Sequence, residues 1–210
     1  MICRFFIPCR CFAAGLLVFL SLSMIIPGRV RGETPEEINS DTTLLVIDVQ
    51  EFYFPGGAMP LADPEAAALN CRRLLDKFRS ENKRIVHVGH KIKTPSAFHP
   101  QVIPQCEEKI IMKSEINAFN GTELLAYLQE HDVKRLVICG MQTHMCVEAA
   151  VRAAYDLGFE CVLVSDACAT RDLTYAGTTI DAGGVHHCTL SSLSGTYAKV
   201  VDTDTFLSGE

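Results

Sequence analysis

Asp48, Lys113 and Cys146 are of the residue types that together carry out nucleophilic hydrolysis, and each stands at the end of a short apolar run. The run at 136–139 (LVIC) stops at Gly140. From Met145 onwards Val147, Val151, Ala154 and Tyr155 recur at helical spacing until Gly158 ends them. A second apolar run, 161–164 (CVLV), follows, so this stretch predicts a strand–turn–helix–strand unit with Cys146 in the first turn of the helix. Backbone N–H groups and the positive end of the helix dipole favour a thiolate there. A cysteine in an apolar α/β chain is more often a small buried hydrophobe, so position alone does not make Cys146 a nucleophile. Its companions do. Asp48 closes the run 43–49 (TLLVIDV) and Lys113 closes 109–113 (KIIMK). In a parallel sheet the carboxyl ends of the strands share one edge, so the three side chains can converge on one cleft. There a thiol can attack a carbonyl, a carboxylate can take the thiol's proton, and a cationic lysine can adjust the pKa of both.

The elements that must position them alternate along the chain. Residues 66–79 predict an amphipathic helix with Leu69, Leu74, Leu75 and Phe78 on its buried side. Residues 84–89 predict the next strand, with His87 and His90 near its end. Two histidines three apart suggest a metal, but no third ligand is near in sequence, and a pocket or structural role is the expectation. Residues 91–109 form a long loop of the kind that acts as a lid. A helix follows Thr122, its expected N-cap. Residues 166–172 are expected as loop, 173–184 read as polar and glycine-containing, 185–200 are expected as a final helix, and Val201 as the start of an edge strand. Strands alternating with helices at this spacing imply an α/β fold in one domain, three layers with a doubly wound, mostly parallel sheet of Rossmann type. No G-x-G-x-x-G or Walker A sequence is present, so no nucleotide cofactor is indicated.

Composition narrows the function classes. The 210 residues are 48% hydrophobic and carry a net charge of −6, enough for one domain with a sizeable core. No run of more than two basic residues occurs, and four of the 19 basic residues lie in 1–32, leaving 15 against 25 acids beyond it. A nucleic-acid partner is excluded on this pattern. Residues 1–32 have a basic start at Arg4 and Arg10, an apolar stretch over 11–28, and small residues before a cleavage point after Gly32. They are expected to be a signal peptide or N-terminal anchor, leaving 33–210 as the domain. The protein is then exported, periplasmic or secreted, and touches a membrane only if that segment stays uncleaved; a start at Met24 would leave it cytoplasmic. Three of the ten cysteines lie in this segment, and the other seven show neither C-x-x-C nor zinc spacing. No disulfide or metal site is expected.

Read whole, the sequence resembles the isochorismatase-like cysteine hydrolases, a family that includes nicotinamidase, N-carbamoylsarcosine amidase and many bacterial hydrolases. The resemblance runs from about 43 to 205 and rests on LLVIDVQ (44–50), KSEINAFNGTEL (113–124), CGMQTHMCVEAAVRAAYDLGF (139–159), SDACATRDL (165–173) and VHHCTLSSL (185–193). It implies that Asp48, Lys113 and Cys146 are a catalytic triad. It also implies a cis peptide between Met141 and Gln142, with the Gln142 and Cys146 amides forming an oxyanion hole. Gln50, Phe54, His90, Asn117, Phe119 and Thr143 are implied near the substrate pocket. Nicotinamidases carry a metal-binding Asp-x-His pair, which the segment HVGHKIKTPSAFHP (87–100) lacks. The presence of Cys146 argues against isochorismatase chemistry, which uses no such nucleophile.

The expected function is thus hydrolysis of an amide or similar C–N bond in a small molecule, without metal or cofactor, by a homo-oligomer. Two alternatives are non-covalent hydrolysis of the isochorismatase type and a non-catalytic exported binding protein that retained the fold.

Overall fold

Residues 39–93 and 96–209 are described by the computed structural model; the expected signal segment, 1–32, lies outside them. Apolar runs become buried parallel strands. β1 (Thr42–Ile47) is buried at all six positions, β2 spans Arg84–His90, β3 Lys109–Lys113, β4 Arg135–Met141, β5 Glu160–Ala169 and β8 Lys199–Val201. They form one sheet in the order β3-β2-β1-β4-β5-β8, and every neighbouring pair is parallel. Strands covered on both faces have no polar side to show, which is why they read as unbroken hydrophobic runs.

Alternate residues of the inner strands β2, β1, β4 and β5 feed two cores. Leu44, Val46, Val137 and Val162 face Leu74, Leu75 and Phe78 of α1 (Pro64–Ser80) and Phe206 of α5 (Thr203–Ser208). Leu45, Ile47, Val86 and Ile138 face α2 (Leu124–Glu130), α3 (Glu148–Asp156) and α4 (Ala182–Leu193). The result is three layers. From β1 the chain winds outward through β2 and β3, then returns to the other side of β1 and winds outward through β4, β5 and β8. The switch point of this doubly wound sheet therefore lies between the carboxyl ends of β1 and β4, where open α/β sheets place their ligands.

Several expectations need correction. Leu69 is 53% exposed and Tyr155 also faces solvent; the buried stripe of α1 is made by Ala67, Ala68, Cys71, Leu74, Leu75 and Phe78 instead. β5 does not end before Asp166 but continues to Ala169 through a register shift, beyond which Cys168 and Ala169 pair with Gly140 and Met141; Asp166 meanwhile finds partners in Thr203 and Asn70. Within the polar stretch 173–184, to which the sequence assigned no element, Leu173–Tyr175 and Thr178–Ile180 pair as an antiparallel hairpin, β6 and β7. The expected helix over 185–200 stops at Leu193, and Gly195, at φ 78°, turns the chain back into β8. Thr122 precedes its helix by two residues, yet its Oγ1 still accepts the Leu124 N–H.

Gly140 marks the closest approach of two strands at the switch point. Its φ is 126°, and a Cβ there would lie 2.0 Å from the Ile47 carbonyl oxygen. Gly140→Ala is expected to cost at least about 2 kcal/mol, since the obstacle is backbone and the conformation disfavours a side chain. Urea denaturation with an unchanged midpoint would refute this.

Candidate active site

The site is assembled from three strand ends at the switch point. Asp48 follows β1 directly, at a φ of 52°, which a short polar residue tolerates better than a branched apolar one. Lys113 is the last residue of β3, two strands away. In between, the β2–β3 register sets His90 beside Lys113. Cys146 lies beyond β4, in a five-residue π turn, Thr143–Val147, that leads into α3. That turn runs unbroken into α3, with Val147 and Glu148 both α-helical in φ and ψ, so Cys146 stands in the helix's first turn, which is of π type.

The Lys113 ammonium is the hub. Nζ lies 2.7 Å from Asp48 Oδ2, 3.1 Å from Cys146 Sγ, 2.7 Å from His90 Nδ1 and 3.2 Å from the Glu115 carbonyl oxygen. Asp48 is 0% exposed, Lys113 1% and Cys146 2%. The donor atoms of Asp48, His90 and Cys146 lie within 4.8 Å of one another, a spacing that would suit a metal ion. The lysine's own positive charge already occupies the middle of that group.

Burial shapes the protonation of the cluster. It raises the Asp48 carboxyl, and the adjacent Lys113 charge and hydrogen bond offset only part of this. Burial and then the Asp48 charge push the Cys146 thiol up to about 12, against the pull of Lys113. The sequence argument for a thiolate stabilised by a helix end is overturned on this point. A buried thiol facing a carboxylate holds its proton, and the pair behaves as a single unit with a lysine beside it. His90 is lowered by burial and then by the Lys113 charge, with Asp48 and Glu115 opposing.

The other expected site residues divide. Gln50 is buried and accepts the His90 N–H at 2.7 Å, while its amide donates to the carbonyls of His90 and Ser96. It thereby ties the ends of β1 and β2 to the loop. The Met141–Gln142 peptide is cis. The Gln142 side chain donates to Tyr53 Oη and Met59 Sδ and accepts from Arg171 Nε. Thr143 Oγ1 pairs with His186 Nδ1 of α4 at 2.9 Å. Phe54 stacks on His99, Asn117 closes a turn by accepting the Phe119 N–H, and Phe119 stacks towards Phe159; none of these three contacts involves the lysine cluster. His87, three residues before His90, falls on the opposite face of the strand by its period of two. There it meets Glu108 at 2.8 Å. Burial opposes the Glu108 charge, but hydrogen bonds from Arg79, the Gln105 N–H and His87 hold its carboxyl down at about 2.

Tyr53, Arg171 and His186 were not singled out by the sequence. Arg171 sits inside SDACATRDL and His186 inside VHHCTLSSL, so the motifs contain them, but their partners are remote in sequence.

A parallel, doubly wound α/β domain with a buried Asp–Lys–Cys cluster at its switch point defines a class, and comparison with known proteins supplies the family. Residues 42–191 match the Isochorismatase domain, and the chain belongs to the isochorismatase family of hydrolases. It is 42% identical over 177 residues to the isochorismatase family protein YddQ of Bacillus subtilis, covering 79% of this chain and 98% of that one. A crystal structure described as an isochorismatase hydrolase from Oleispira antarctica superposes with a TM-score of 0.79 at 41% identity, covering 81% of this chain and 98% of that one. Streptothricin hydrolase of Streptomyces noursei is 35% identical over 144 residues, 63% of this chain and 51% of that protein.

Proposed function

We propose that the protein is a cysteine hydrolase that cleaves an amide or related C–N bond of a small molecule through a thioester acyl-enzyme. The observation that carries this reading is the bridging position of Lys113, ion-paired with the Asp48 carboxylate and hydrogen-bonded to the Cys146 sulfur in a buried cluster. Asp48 takes the Cys146 proton and the thiolate attacks the substrate carbonyl. The resulting oxyanion rests on the backbone N–H groups of Gln142 and Cys146. The protonated Asp48 gives its proton to the departing amine, leaving the acyl group on sulfur. Water, losing a proton to Asp48, then releases the acid and the thiol is restored. Lys113 keeps the pair's net charge near that of a neutral site throughout. Streptothricin hydrolase, by its name a hydrolase, supports the reaction class.

Proton transfer inside the pair makes a test that needs no substrate. Thiolate at Cys146 is set by exchange with Asp48 rather than with solvent, so its alkylation by iodoacetamide should change less than about threefold between about pH 8.5 and about pH 7. A small free thiol alkylated in parallel, with a pKa of about 8.5, should slow by roughly 15-fold over the same range. Peptide mapping of the labelled protein reads Cys146. A Cys146 rate that falls in parallel with the free thiol would remove the proposed proton partner. Export through 1–32 and homo-oligomeric assembly belong to the same proposal; the intact mass of the mature protein and light scattering would test them.

A further inference from the structure

We propose that His90 is a positioning residue of this site: its neutral ring accepts a hydrogen bond from Lys113 and thereby holds the ammonium against Cys146 and Asp48. The inference rests on the hydrolase reading above and adds a fourth member to its machinery. An ammonium has three hydrogens, and four acceptors surround this one: Asp48 Oδ2, His90 Nδ1, Cys146 Sγ and the Glu115 carbonyl. The hydrogen bonds go to His90 Nδ1, Cys146 Sγ and the Glu115 carbonyl, while Asp48 Oδ2 at 2.7 Å is held as an ion pair, so the short bond to His90 fixes one N–H and with it the directions of the two that reach sulfur and the Glu115 carbonyl. Without the imidazole, the lysine can satisfy itself on Asp48 and the Glu115 carbonyl and turn away from sulfur.

The ring is itself held in place. Gln50 accepts the His90 N–H and donates back to the His90 carbonyl, so the end of β2 cannot shift without breaking both. A ring nitrogen that accepts from an ammonium carries no proton, so the Nδ1 lone pair faces Lys113 and the proton resides on Nε2. The charged and titratable groups facing the ring are Lys113 from β3, Glu115 just after it, Asp48 from the end of β1 and Cys146 from the π turn. Protonation at Nδ1 would set two cations 2.7 Å apart. The contact therefore exists only while His90 is neutral, and burial with the Lys113 charge extends that state below its ordinary value of 6.5.

The experiment measures Cys146 alkylation by iodoacetamide across pH in the full protein and in two variants. His90→Gln retains an acceptor that does not titrate, and His90→Leu retains bulk without one. At neutral pH His90→Gln is expected within about threefold of the wild-type rate and His90→Leu at least about tenfold slower, the size of one charge-assisted hydrogen bond. As pH falls the wild-type rate should drop as His90 gains its proton, and His90→Gln should carry its plateau about one unit lower. Ring ¹⁵N NMR of the wild type should show the Nε2–H tautomer. Coincident acid limbs in wild type and His90→Gln, a wild-type rate in His90→Leu, or an Nδ1–H tautomer would each overturn the proposal. A Cys146 that follows a small free thiol in its pH dependence would instead sink the nucleophile reading, and the tautomer would then decide the His90–Lys113 contact alone.

Discussion

Cys146→Ser is expected to lower hydrolysis of an amide substrate by roughly 10³-fold or more, because the hydroxyl is a far weaker acid than the thiol it replaces. Asp48 is a strengthened base, its carboxyl raised by burial, and it can draw a proton from a thiol at about 12 with the lysine stabilising the anion. A serine hydroxyl lies well beyond that reach. The change should leave the fold alone: Cys146 is 2% exposed, oxygen is smaller than sulfur, and Lys113 can still donate to it. Thermal unfolding should therefore move by no more than about 1 kcal/mol in stability. The readout is amine release from a panel of small amides, alongside a melt of each protein. Turnover retained by the serine variant would refute the need for a thiol, and turnover retained by Cys146→Ala would refute covalent catalysis and leave the non-covalent, isochorismatase-type route.

Lys113→Met should be the most damaging change to stability, at roughly 3–5 kcal/mol near neutral pH, because it strands a buried charge. Asp48 and Lys113 pair at 2.7 Å with no side-chain exposure on either partner. Removal of the ammonium leaves the carboxylate without its countercharge, and its pKa must climb above the already raised wild-type position. The loss should accordingly shrink as pH falls and Asp48 takes a proton. In the wild type the same group has the opposite sign to a surface carboxylate. Its folded pKa lies above its unfolded one, so its contribution is present below the unfolded value and is lost as pH rises through the folded one. Asp48→Asn keeps a residue type that accepts the φ of 52°, so it reports the charge alone. The double variant should be more stable than the sum of the single losses by about 2 kcal/mol, as expected for two groups that mainly need each other. Urea denaturation of the four proteins closes the cycle; strictly additive losses would show that the ion pair carries no such coupling.

The sequence alone determined the fold class and three strand ends. Buried parallel strands leave continuous apolar runs, and the chemistry-bearing residues that close those runs, Asp48, Lys113 and Cys146, stand out against them. Gly140, Gly158 and the helical spacing after Met145 bounded the central unit well enough to place Cys146 at the start of its helix.

What lay outside its reach depends on partners far along the chain. Asp166 reads as loop because it is polar, yet β5 resumes its pairing beyond it, and Asn70 and Thr203 bind its carboxylate. The hairpin of β6 and β7 is exposed at nearly every position, so it carries no hydrophobic alternation to read. The order of the strands, and with it the place of His90 between Asp48 and Lys113, follows from pairing. The thiol's protonation was decided last: the position of Cys146 at the start of a helix argues for a thiolate, but desolvation in a buried cluster, added to a carboxylate neighbour, outweighs the helix end and the lysine.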